Sequence, residues 1–197
     1  MTLKIFWLNI IKMLTEISLN ILDIVNNSIS AGADFIVIEV RIHINKDILA
    51  IKIRDNGCGM SKQDLSKVED PFFTTRSTRK VGLGIPFLKQ AAQLTGGSFY
   101  MDSTPGRGTL VDVSFGLSHI DRMPLGDICS TIYTLILTNQ NIDFLYIYEC
   151  EGIEYELDTR KLREILGDIP FDTAEVAKFI RDYLDQNHKE VSKGQFF

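Results

Sequence analysis

The stretch LDIVNNSISAGAD, Leu22 to Asp34, constrains the fold most, because it reads as a helix that is apolar almost all the way round. At about 100° per residue, Glu16, Asn20, Asp23 and Asn27 fall within one narrow arc. Ile17, Leu19, Ile21, Leu22, Ile24, Val25 and Ile29 cover most of the remaining circumference. A helix over residues 15–30 is therefore predicted to be packed on most sides. Its thin stripe of carboxylates and amides must face something polar.

Downstream, DFIVIEVRIHI and ILAIKIRD alternate at strand period and are joined through the turn-forming NKD, which predicts a hairpin. A short helix is expected after Ser61, with Ser61 as cap and Asp64 near the capping-box position. Residues 70–84, DPFFTTRSTRKVGLG, lack a period and read as a loop. IPFLKQAAQLTGG predicts a helix ending in a left-handed glycine cap, and SFYMDS and TLVDVSFG a second hairpin across TPGRG. Helix, two strands, loop, helix, two strands is the order of an α+β sandwich, with a mostly antiparallel sheet and helices on one face.

From Ser118 the character changes. GDICSTIYTLILTNQ reads as a helix, IDFLYIYEC and IEYELD as a hairpin turning at Glu151-Gly152, and DTRKLREILG and DTAEVAKFIRDYLDQNH as two capped amphipathic helices. Residues 118–197 are expected to form a small C-terminal α/β unit after a domain at 15–117.

Of the 197 residues 45% are hydrophobic, enough for a sizeable core. The net charge of −5 argues against a general nucleic-acid binder. Cys58, Cys129 and Cys150 are odd in number and lack metal-ligand spacing, so they read as thiols in a reducing compartment. The first residues, MTLKIFWLNIIKMLT, carry no cleavage signal and too short an apolar run to span a bilayer. They are expected to be an extension over 1–14, with Met13 a candidate start and the protein cytoplasmic.

Ile51, Ile53 and Asp55 share one strand face, so Asp55 points to the core side and needs a donor partner. Gly57 and Gly59 in DNGCGM allow a sharp turn and a close approach. VGLGIP opens a helix whose first N–H groups favour an anion.

DIVNNSISAGA, DNGCGM, DPFFTT…VGLGIP and TPGRGTLVDVSF occur in that order between Glu16 and Gly116. Together they resemble the GHKL ATPase superfamily of DNA gyrase, the heat-shock chaperone, histidine kinases and the mismatch-repair protein MutL. The resemblance implies the Bergerat ATP-binding fold and the cofactors ATP and Mg²⁺. It implies that the polar stripe lines a nucleotide pocket, that Asn27 holds Mg²⁺ bridging the phosphates, and that Asp55 accepts from the adenine amino group. Gly59 would give the ring space, with Thr109 helping through an ordered water, and Gly57 and Met60 would belong to the same cofactor-binding set. Gly82, Leu83 and Gly84 would offer amides to the phosphates. Thr74, Thr75 and Lys80, with Arg76 and Arg79, would belong to a lid.

At the position of Asp23, hydrolysing members carry a Glu base and histidine kinases usually Asn. Asp is a methylene shorter, and a base displaced by about 1 Å can lose on the order of a hundredfold in rate, so slow hydrolysis is expected. The expected function is Mg²⁺-dependent ATP binding with slow hydrolysis or phosphotransfer by a stand-alone histidine-kinase-like ATPase domain. The alternatives are a kinase acting in trans on Ser or His of a protein partner, as anti-sigma-factor kinases do, and a non-hydrolysing nucleotide module. No nucleic acid or membrane partner is expected, and a dimer is compatible with the sequence.

Overall fold

The structure is a computed structural model that describes residues 16–68, 84–195 and 197. Helix α1 (Ile17–Ser30) leads into a hairpin of β1 (Phe35–His43) and β2 (Ile48–Asp55), followed by α2 (Lys62–Val68), α3 (Gly84–Leu94), β3 (Phe99–Thr104) and β4 (Gly108–Gly116). The chain continues through α4 (Ile128–Thr138), β5 (Asp143–Cys150), β6 (Ile153–Asp158), α5 (Thr159–Leu166) and α6 (Ala174–Val191).

One six-stranded sheet in the order β3-β4-β2-β1-β5-β6 runs through the molecule. All neighbours are antiparallel except β1 and β5, which run parallel with Phe35 opposite Asp143 and Ile42 opposite Cys150. The segment after Ser118, expected as a small unit of its own, thus adds two strands to the sheet that carries the first four.

Strict alternation produces this architecture. Ile36, Ile38, Val40 and Ile42 of β1 are buried, as are Leu49, Ile51 and Ile53 of β2 and Val111, Val113 and Phe115 of β4. They join one core with Ile17, Ile21, Ile24 and Val25 of α1, Leu88 and Ala92 of α3, Ile132 and Leu135 of α4, and Ile180 and Leu184 of α6. Each large aliphatic side chain buried there contributes about 1.5–3 kcal/mol. The opposite face is charged: Arg41 pairs with Glu39 at 3.0 Å and Glu149 at 3.2 Å, and Lys52 with Asp112 at 3.2 Å.

The ends of the elements follow their sequence signals in most places. Ser61 accepts from the Asp64 amide at 3.1 Å and so caps α2. The amide of Gly97 donates to the Ala92 carbonyl at 2.9 Å, closing α3 as a glycine cap does. Glu151 and Gly152 both have positive φ (51° and 80°), the backbone of a tight hairpin turn. Asp127 caps α4 through the Ser130 amide at 2.8 Å, and Asp158 caps α5 through the Arg160 amide at 3.0 Å. The expected cap on α6 is not made, because the Thr173 hydroxyl donates to the Pro170 carbonyl at 3.1 Å instead. At α1 the first amides are satisfied by tertiary contacts, Ile17 to the Pro124 carbonyl and Ser18 to that of Leu125, both at 2.9 Å. Among the described residues, no helix is long and apolar enough to cross a membrane.

Candidate nucleotide site

The site is organised around the last residue of β2. Strand alternation turns Asp55 inward behind Ile51 and Ile53, and the residue is 7% exposed. One oxygen, Oδ1, accepts from the amides of Gly57 at 2.9 Å and Thr109 at 3.1 Å. The other, Oδ2, accepts from the buried Ser28 hydroxyl at 2.6 Å. A carboxylate has about four lone-pair positions, so these three donors leave acceptor capacity for a further donor.

The motif after Asp55 is stapled on three sides. Asn56 accepts from the amides of Asp34 and Phe35 at 3.0 Å each, tying the end of β2 to the start of β1. The Cys58 amide donates to the Ala31 carbonyl at 2.9 Å, and the Cys58 carbonyl accepts from Gly106 at 2.8 Å. Met60 donates through its amide to Ser103 Oγ at 2.8 Å, and that hydroxyl lies 3.0 Å from Thr109 Oγ1.

The glycines are required by these contacts. Gly59 has φ +63°, and a Cβ there would collide with the Thr104 carbonyl oxygen. Gly57 has an ordinary φ, but an added Cβ would lie 3.0 Å from the Ala31 carbonyl and 3.2 Å from Asp55 Oδ1.

The polar stripe of α1 divides into two parts. Asn20 donates to the Glu16 carbonyl at 3.0 Å and faces Met123, and a side chain on Gly126 would strike the Glu16 carboxylate. The expectation that the whole stripe lines a pocket is therefore corrected: its first half is covered by residues 123–126. Asp23 and Asn27, one turn apart and half-buried, form the second half. Asp23 Oδ2 lies against Gly84, the first residue of α3, closely enough that a Cβ on Gly84 would collide with it. Oxyanions are favoured at such a helix start by its first-turn N–H groups and dipole.

Helix α1 thus touches Asp55 through Ser28 and the start of α3 through Asp23. Five residues separate them, about 7.5 Å along the axis.

Of the residues expected at the site, Asp23, Asn27, Asp55, Gly57, Gly59, Met60, Gly84 and Thr109 are described. Thr74, Thr75, Lys80, Gly82 and Leu83 lie outside the described residues, as do Arg76 and Arg79. Sequence reasoning passed over Ser28 and Ser103, whose hydroxyls connect Asp55, Met60 and Thr109. The adjacency of Ser28 to Asn27, on the packed side of α1, was the available signal.

A family model described as "Histidine kinase-, DNA gyrase B-, and HSP90-like ATPase" matches residues 9–119. The chain belongs to this family. ATP binding comes with that membership, and the four motifs of the sequence fall inside the match. The match begins within the stretch read as an N-terminal extension. Sensor histidine kinase WalK of Bacillus subtilis is 30% identical over 96 residues, 45% of this chain and 16% of the kinase. The non-motile and phage-resistance protein of Caulobacter vibrioides is 31% identical over 111 residues, 52% of this chain and 13% of that protein. The chain therefore matches only a small part of these relatives' length. A crystal structure of the N-terminal domain of a DNA repair protein superposes with TM-score 0.54 and 18% identity, covering 75% of this chain and 54% of that one, a likeness of fold.

Proposed function

We propose that the protein is an ATP-dependent phosphotransfer or slow-hydrolysis module. Asp55 accepts from the exocyclic amine of adenine, and the start of α3 holds the phosphates. The observation that carries this reading is the placement of the Ser28–Asp55 and Asp23–Gly84 contacts on one helix, five residues apart. That arrangement offers a buried acceptor for a base and an anion-favouring helix start for a phosphate chain. Gly57 and Gly59 leave the edge of the base free of side chains, and Met60 and Thr109 complete the wall.

Asn27 fits Mg²⁺. Its amide oxygen is the hard donor that Mg²⁺ prefers, and Mg²⁺ needs few protein ligands when phosphates and waters complete its sphere. Asn27 lies one turn beyond Asp23, whose carboxylate is already at the proposed phosphate seat. Bound Mg²⁺ would offset phosphate charge as the terminal phosphoryl group leaves.

Asp23 orders or deprotonates the attacking group. With water as nucleophile the outcome is slow hydrolysis; with a Ser or His side chain of a protein partner it is phosphotransfer. Together with Gly84, Gly82 and Leu83 are proposed to offer backbone amides to the phosphates; Thr74, Thr75 and Lys80 are proposed to belong to a lid over ATP, and residues 118–197 to be the surface a partner reads.

The test follows γ-labelled ATP with Mg²⁺ and the purified protein, using Asp55→Asn as the binding-deficient control. Phosphate released above that control, and abolished in Asp23→Asn with ATP binding retained, supports hydrolysis through Asp23. Binding without release directs the reading to phosphotransfer. Absence of ATP binding by the unmodified protein overturns it.

A further inference from the structure

Away from the nucleotide site, a second concentration of unpartnered chemistry is enclosed between the β5–β6 hairpin, α4 and α6. Tyr146 and Tyr148 of β5 and Tyr155 of β6 are all buried. Tyr148 lies directly opposite Tyr155, and alternation puts Tyr146 on the same face. The Tyr155 ring stands 5.8 Å from each of the other two, and His188 of α6 packs on Tyr148 at 4.3 Å. Tyr183 sits 6.3 Å from Tyr155.

By distance and angle together, none of the three phenol oxygens, nor Nδ1 of His188, completes a hydrogen bond among the described residues, although the Tyr155 hydroxyl lies near that of Tyr146 and the Cys129 thiol, and all four atoms are shielded from solvent. Their polar ends converge, since all three phenols lie within electrostatic reach of the Cys129 thiol on α4. That thiol is itself occupied, donating to the Leu184 carbonyl at 3.7 Å.

A buried hydroxyl without a partner forfeits the hydrogen bonds it made to water, and native proteins leave few of them. Three in one enclosure would be a cost that phenylalanine at the same positions avoids. A ligand that both donates and accepts removes the cost.

We propose that this enclosure is a binding site for internal water, held by the hydroxyls of Tyr146, Tyr148 and Tyr155 and by His188 Nδ1. Burial pushes all three phenols up and the imidazole down, so the lining is neutral near pH 7 and suits an uncharged ligand. Water supplies two donors and two acceptors, and buried waters typically bind about three polar atoms. The site ties α6 to the hairpin that extends the sheet.

Two measurements on the full chain test this. Water-selective NMR is expected to show cross-peaks between long-lived water and the ring protons of the three tyrosines; their absence overturns the proposal. Tyr146→Phe, Tyr148→Phe and Tyr155→Phe are each expected to lower Tm by about 2–4 °C, since each removes a hydrogen bond to the bound water. A dry enclosure gives the opposite sign, and an unchanged or raised Tm across the three variants overturns the assignment.

Discussion

The hydroxyl of Ser28 and the carboxylate of Asp55 meet at 2.6 Å, both residues buried, and in the proposed function this contact sets which carboxylate edge faces adenine. Hydrogen bonds to a charged group contribute about 1.5–3 kcal/mol. Ser28→Ala removes the donor and lets the Asp55 side chain rotate about its remaining contacts with Gly57 and Thr109. The expected outcome is an ATP affinity weakened by about tenfold, corresponding to about 1.4 kcal/mol, with the fold retained. Isothermal titration with ATP checks it, and unchanged affinity would show that Ser28 does not orient the acceptor.

Gly84 leaves room for the Asp23 carboxylate, so Gly84→Ala should push that group out of place while leaving α3 intact. Alanine is a better helix residue than glycine, so a loss of activity here cannot be a loss of helix propensity. ATP turnover or phosphotransfer is expected to fall by about tenfold or more, because small displacements of a reacting group are costly. A rate assay at saturating ATP measures it. A variant as active as the parent would remove Asp23 from the chemistry.

At Gly59 both conformation and space are restricted, with φ +63° and the Thr104 carbonyl in the way of any Cβ. Gly59→Ala is expected to destabilise the protein by about 2 kcal/mol or more, since strain at a positive-φ position adds to the collision. Urea unfolding reports the change, and a midpoint equal to the parent's would contradict the close approach of the two loops.

His188 gives a pH dependence of defined sign. Burial against Tyr148 holds its imidazole below the ordinary value, while Asp185 on the same helix and Asp127 at the start of α4 pull the other way. The unfolded chain therefore takes up a proton at about pH 6.5, before the folded one does. The contribution of the neutral ring is fully present above that pH and is lost as the pH falls toward the folded value. The urea midpoint is expected to drop as the pH falls below about 6.5, and His188→Phe should flatten that part of the profile. Equal slopes for parent and variant would sink the assignment to His188.

The elements with strong periodicity were legible in the sequence. Alternation in β1, β2 and β4 placed Asp55 on the core side, and the glycine pair after α3 gave its end. The division of the α1 stripe was not legible, because Glu16 and Asn20 share an arc with Asp23 and Asn27 and only the return of residues 123–126 tells them apart. Ser28 and Ser103 gave no periodic signal, since a hydroxyl is compatible with either side of an element. The pairing of β5 with β1 was hidden for a different reason: Phe35 and Asp143 are distant in sequence, and a parallel neighbour leaves no local mark.

That pairing has a consequence for any shortened form of the chain. Cutting after β4 would convert β1 from an interior strand into an open edge, with a row of free amides and carbonyls beside the isoleucine-rich β1. Such an edge recruits a strand from another molecule. A fragment confined to the family-matched region is expected to self-associate on gel filtration, whereas the full chain carries its own β5 to fill the seam.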